Sequence, residues 1–282
     1  MTLSEFLMCL ELGLIYGIVS VGIYLTFRTI DFPDLGCDGT FVLGAVTSAV
    51  LIDKGFDPSF SLICAIFTGS IAGLVTGLLN VVFKITDLLC GILVAFMLYS
   101  INLKIMGGIP NIALIGRETI FTNHSAVSLL LFLTILIVLG IAYVLTTDFG
   151  LALRSIGQNK RLGMNVGVKI GSMTIIGLAL SNALIALGGA LFSQHQGFVD
   201  ISQGFGTIII GLAAVMIGEK ILPTKSLFLI IFSSFLGSVL YRVFIAVALH
   251  SERIGIETQD LNLITGLMVI AVMLIPKAGK KS

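Results

Sequence analysis

Between about Phe6 and Phe27 the chain is apolar except for one carboxylate, Glu11. A helical crossing of a bilayer takes about 20 such residues. The segment has neither the basic start nor the small-residue exit site of a cleaved leader, so it is expected to stay as a span. Eight further apolar runs follow, at about Gly39 to Ile52, Ser59 to Phe83, Leu88 to Met106, Ser125 to Leu145, Gly171 to Phe192, Thr207 to Gly218, Ser226 to Leu249 and Leu261 to Ile275. That gives about nine spans, two of them short. With 11% charged residues and a mean hydropathy of +1.12, the chain is far from a soluble domain, where about a quarter of residues are charged. Hydrocarbon offers the backbone no hydrogen-bond partner, and the runs lack the strict alternation of a barrel strand. An all-α polytopic membrane protein embedded in a lipid bilayer is therefore expected.

The formal net charge of +1 argues against nucleic acid as a partner. Cys9, Cys37, Cys64 and Cys90 show no paired CxxC spacing and have no histidines nearby, so neither a disulfide nor a metal site is expected. Lysine and arginine favour the cytoplasmic side of short loops. Nine crossings with the N-terminus outside and the C-terminus inside put eleven of the sixteen basic residues in the cytoplasm: Arg28, Lys84, Arg154, Lys160, Arg161, Lys169, Lys220, Lys225, Lys277, Lys280 and Lys281. Lys54, Lys104, Arg117, Arg242 and Arg253 then lie outside.

Two stretches resemble one another. Gly39-Thr40-Phe-Val-Leu-Gly44 recurs as Gly206-Thr207-Ile-Ile-Ile-Gly211, each followed by a lysine, a proline and a long apolar run, and Gly13 and Gly177 sit at equivalent places upstream. Five crossings separate the copies, so they would be inverted in the membrane. On this basis residues 1–282 form one transmembrane domain. Repeat 1 covers about 6–106, a linking span about 125–145, a cytoplasmic coupling loop about 146–170, and repeat 2 about 171–276. Short hydrophobic segments at matching places of inverted halves point to a translocation path. The polar stretches ahead of both short helices, around Asp31, Asp34 and Asp38 and around Gln194 to Gly204, fit backbone that survives at membrane depth only against protein or water. Read singly, Asp31 and Asp34 are helix caps. The path candidates are Asp34, Asp38, Gly39, Thr40, Asn182, Gly206, Thr207 and Gly211.

Gly69, Gly73 and Gly77 share one helix face, as do Gly13 and Gly17, so neighbouring backbones can approach closely within one subunit. Asn80, Asn182 and Asn262 either line a path or join helices. Arg242 is expected to snorkel from a helix end. His124, His195 and His250 stand alone near span ends. No nucleophile with a base and no H-E-x-x-H metal set occurs, so an enzyme is not expected.

The longest loop, Thr147 to Val168, contains no proline and carries Arg154, Lys160 and Arg161. It reads as short helices broken by glycines. Its small apolar residues with Arg154, Gln158 and Asn159 suit docking in a partner's groove.

This loop, together with Leu178-Ala-Leu-Ser181-Asn182, Gly188-Gly189, Gln196-Gly-Phe-Val-Asp200 and Gly206 through Gly218-Glu219, resembles the permease subunits of bacterial ABC importers. The likeness is to the branched-chain amino acid and monosaccharide permease superfamily, and within it to the branch ascribed to tryptophan or tyrosine transport. Phe32-Pro-Asp34-Leu and Asp38-Gly39-Thr40-Phe41 resemble the same branch. The resemblance implies a permease of the bacterial inner membrane that imports a small solute such as an amino acid by alternating access. It also implies a second permease copy, in a homodimer or a related pair, and an external substrate-binding protein. Two cytoplasmic ATPase subunits would dock on Gly150, Arg154, Gly157, Gln158, Asn159, Lys160 and Arg161. The chain has no G-x-x-x-x-G-K-[ST] phosphate loop, so ATP and Mg would belong to that partner and no cofactor to this chain. A secondary transporter or a channel independent of ATP is the alternative.

Overall fold

The computed structural model describes residues 3–122, 125–165, 167–224, 226–249 and 261–274. Lys225, Arg253, Lys277, Lys280 and Lys281 of the charge asymmetry lie outside the described residues, as do His124, His250 and the side chain of Asn262.

The described residues form ten α-helices, a π-helical turn and a two-stranded ribbon. In order they are α1 (Leu3–Tyr24), the π turn (Leu25–Ile30), α2 (Cys37–Asp53), α3 (Pro58–Val81), α4 (Asp87–Ile105), β1 (Asn111–Ala113), α5 (Ala126–Thr146), α6 (Asp148–Asn165), α7 (Ile170–Gln196), β2 (Phe198–Asp200), α8 (Thr207–Ile221), α9 (Leu227–Leu249) and α10 (Leu261–Leu274). Six segments are long and apolar enough to cross a bilayer: α1 with its π turn, α3, α4, α5, α7 and α9. α2, α8 and α10 are shorter, at 17, 15 and 14 residues. The two short helices expected from the sequence are α2 and α8.

Helix starts follow local chemistry. Asp57 opens α3 by accepting the N–H groups of Ser59 and Phe60 through Oδ1, with Pro58 in the first turn, where proline's missing N–H costs nothing. Antiparallel β1 and β2 pair Ile112 with Val199 and tie the segment after α4 to the end of α7.

The core is α7, against which α3, α2 and α1 pack, and α9 lies along α1 and α8. Glycines set the closest approaches. Gly69, Gly73 and Gly77 of α3 face Asn182 and Ala186, Leu178 and Ile175 of α7, and a side chain at any of them would meet α7 backbone or Cβ. On α1, Gly13 meets the Val239 backbone and Gly17 the Phe235 ring of α9.

The long loop departs from its expectation only in what breaks it. Its short helices are there, two of them within the span of α6, but they are broken at Asn159 rather than at glycines. Asn159 is extended (φ −161°, ψ 96°) and its Oδ1 accepts the Leu162 N–H at 3.1 Å, capping the second piece. Gly150 and Gly157 are instead contact points, against Leu145 and the Thr29 carbonyl.

Candidate functional site

The segment after the π turn does not leave the bundle. Asp34 is fully buried, and its Oδ2 accepts from Asn182 Nδ2 at 2.8 Å while its Oδ1 accepts the Gly36 N–H at 2.8 Å. Asn182 lies about 18 Å along α7 from Ile170 at 1.5 Å per residue. Residues 31–36 therefore turn back to mid-depth before α2 begins. From there α2 runs to the end of the bundle that carries the β ribbon, where Ser48 meets Ser61 at 2.9 Å and Gln194 Nε2 donates to both hydroxyls.

The second short helix begins in the same region and runs the other way. After β2, residues 201–206 return to the start of α2, where Gly204 lies against the Asp38 carbonyl. The Asp38 carboxylate, in the first turn of α2, accepts the N–H of Ile208 on Oδ1 (2.9 Å) and that of Gly206 on Oδ2 (3.2 Å). One side chain thus caps the other broken helix, supplying acceptors to N–H groups that a helix start leaves free. α8 then descends past Ile23, which Gly211 faces, to Glu219, whose carboxylate binds Arg28 of the π turn at 2.6 Å.

A cavity of about 550 Å³ opens beside this junction, between α2, α4 and residues 201–205. Asp38 and Gly39 of the path candidates line it. Asn102, missed in the sequence reading, lines it too and is 1% exposed. Its Nδ2 donates to the Gly39 carbonyl (3.2 Å) while its Oδ1 has no partner. A lone Asn on an apolar helix carries no sequence signal that separates this role from joining helices. Of the remaining path candidates, Thr40 donates to the Gly36 carbonyl, Asn182 holds Asp34, Thr207 is 1% exposed, Gly206 is left-handed (φ 86°) with its N–H on Asp38, and Gly211 faces the Ile23 side chain.

Two single-residue expectations change. Arg242 does not snorkel away: its guanidinium lies 4.2 Å from the centroid of the Tyr16 ring, which is buried and packs against Phe41 and Phe192, an arrangement favoured by the ring's negative face. His195 is not alone: its Nε2 lies 2.8 Å from Glu11 Oε2, and Phe121 packs edge-on to the imidazole. Asn80 joins helices, donating to the Ile85 carbonyl and to Asp87. In the loop residues, Arg154 is half-buried, whereas Gln158, Asn159, Lys160 and Arg161 are exposed.

Two short helices thus meet start to start inside the bundle, beside a cavity. The family described as the permease component of branched-chain amino acid transport systems matches residues 6–275, nearly the whole chain. The chain belongs to that family. This permease is 36% identical to a tyrosine transport system permease protein of Clostridioides difficile, over 93% of this chain and 88% of that protein. It is 35% identical to an uncharacterised protein of Rickettsia prowazekii, over 92% and 93%. A more distant relative is an autoinducer 2 import system permease protein of Yersinia pestis, 25% identical over 70% of this chain and 57% of that protein. No solved structure matches. The chain is a multi-pass membrane component of a transport system.

Proposed function

We propose that this permease is the membrane subunit of an ATP-driven importer of the bacterial inner membrane, moving an amino acid or similar small solute by alternating access. The observation that carries the reading is the chain of contacts from α6 to both broken helices. α6 rests on the Thr29 carbonyl through Gly157, and the neighbouring Arg28 holds Glu219 at the end of α8. The same π turn leads into residues 31–36 and α2. A movement of α6 is thereby passed to α2 and α8 together, as a two-state path requires.

ATP would be bound with Mg by a cytoplasmic subunit docking on α6, over Gly150, Arg154, Gly157, Gln158, Asn159, Lys160 and Arg161. In this orientation the α6 end and the C-terminus are cytoplasmic, and the N-terminus and β ribbon face outward, where a binding protein delivers solute. A second copy of the chain completes the path. The nine spans form two inverted repeats, α1 to α4 and α7 to α10. Supporting this, α1 lies along α9 as α7 lies along α3, and α2 packs on α7 as α8 packs on α1. The tyrosine permease relative favours an amino acid cargo.

The test is to express the chain with an adjacent ATPase gene, extract it in mild detergent and follow ATPase capture and L-tyrosine uptake. Stoichiometric capture, lost in Arg154→Glu, is expected. A second reading, a carrier independent of ATP, draws on the half-buried Glu11–His195 pair. Uptake by the chain alone in proteoliposomes, without ATP, would establish that reading instead.

A further inference from the structure

The cavity between α2, α4 and residues 201–205 has a definite chemistry. Its volume of about 550 Å³ falls within the range of small-molecule sites, ~300–1,000 Å³. Its wall is mostly apolar, with Phe96, Tyr99 and Phe205 presenting aromatic surface. Its charged group and its one unpartnered amide oxygen are acceptors, beside the Tyr99 and Ser202 hydroxyls, which can donate or accept. Each Asp38 oxygen takes one backbone N–H and has lone-pair capacity for another donor. Asn102 Oδ1 is buried and accepts from nothing, a state that costs free energy until a donor arrives. Among the described residues lining the cavity there is no Lys, Arg or His to neutralise Asp38.

We propose that this cavity is a solute-binding site that takes an ammonium group between Asp38 and Asn102 Oδ1 and lays an apolar or aromatic body along Phe96, Tyr99 and Phe205. A charge-assisted N–H donor satisfies the orphaned acceptor and the carboxylate at once, and the cation rests near aromatic faces that favour it. A carboxylate in the same place would meet like charge at Asp38. A sugar would supply hydroxyl donors but no cation to pair with Asp38. The inference rests on the permease reading and deepens it: the permease itself, and not only a delivering protein, selects for the amine end of its cargo.

The full chain reconstituted in nanodiscs and titrated with radiolabelled tyramine tests this without any ATPase. Saturable binding is expected, displaced by unlabelled tyramine but not by 3-(4-hydroxyphenyl)propionate, which lacks the ammonium, or by ribose. Asn102→Leu should weaken binding about tenfold, the size of one lost hydrogen bond to a charged group. Ala95→Phe, which fills the cavity from α4 and leaves both polar groups in place, should abolish it, with both variants checked for an unchanged melting transition. Equal displacement by the propionate or by ribose would overturn the proposal, as would wild-type affinity in folded Ala95→Phe. No saturable binding by a chain that still supports ATP-driven uptake would overturn it too, and would leave the permease reading standing. Saturable tyramine binding without any ATP-driven uptake would keep the site and remove the importer reading.

Discussion

Asp38 and Ile208 stand 170 positions apart in the chain, yet the carboxylate of one accepts the backbone N–H of the other at 2.9 Å. Two helices that each begin inside the bundle are fastened start to start by one residue. Neither start is otherwise capped by a side chain of its own N-cap, since both N-cap residues are glycines, Gly36 and Gly206.

Asp38→Ala removes acceptors from two backbone N–H groups. A lost N-cap costs about 0.5–2 kcal/mol, and Asp38→Ala should lower the melting transition, followed by circular dichroism in detergent, by that order. Asp38→Asn keeps one acceptor oxygen and should fall between. Three coincident transitions would show that the cap carries no stability.

The α2–α7 crossing tolerates no added side chain. A Cβ at Gly189 would sit on the Phe41 carbonyl, and one at Gly44 on the Ala186 carbonyl. Overpacking of this kind costs about 1–3 kcal/mol, so Gly44→Val and Gly189→Val should both melt early and lose uptake. Gly140 on α5 has no neighbour within 4 Å, and Gly140→Ala should be neutral or stabilising by up to about 1 kcal/mol through helix propensity. A uniform response across the three would deny that the crossing is close.

Much of this arrangement was legible in the sequence. The length and hydropathy of the runs gave the helices, because a bilayer leaves the backbone few alternatives. The G-x-x-x-G spacing of Gly69, Gly73 and Gly77 gave the α3 face that meets α7. The likeness of Gly39–Gly44 to Gly206–Gly211 singled out the two short helices. Hydropathy could not show that Asp38 reaches across to cap α8, because that contact depends on where two distant segments return to mid-depth. The same holds for His195 with Glu11 and for Arg242 over Tyr16: each looks like a stray polar residue until a distant helix supplies its partner. Asn102 was invisible for a further reason, since what marks it is an acceptor without a donor.

The Arg28–Glu219 pair joins the π turn to the end of α8 at 2.6 Å, with the side chains 46% and 23% exposed. At such exposure an ion pair contributes at most about 1 kcal/mol to stability, so its removal should barely move the melting transition. Transport should respond more, because the pair links α6's neighbour to α8. Arg28→Glu is expected to reduce uptake, and the reversed pair Arg28→Glu with Glu219→Arg to restore a substantial part of it. A double variant no better than the single would show that the contact does not transmit movement.

At the opposite end, His195 and Glu11 close α7 against α1 at 2.8 Å with side chains only 10% and 18% exposed. Here burial reverses the expectation. Removing one partner leaves a polar group poorly solvated, at a cost of about 1–3 kcal/mol, whereas removing both spares that cost. His195→Ala and Glu11→Ala should each destabilise, and the double variant by clearly less than the two effects combined, measured as a double-mutant cycle on thermal unfolding. Phe121 packs on the imidazole edge, so Phe121→Ala should weaken His195's placement and shrink the coupling between His195 and Glu11. Additive single effects would mean that the two side chains lie close without stabilising one another, and that the α1–α7 contact is held by its apolar packing alone.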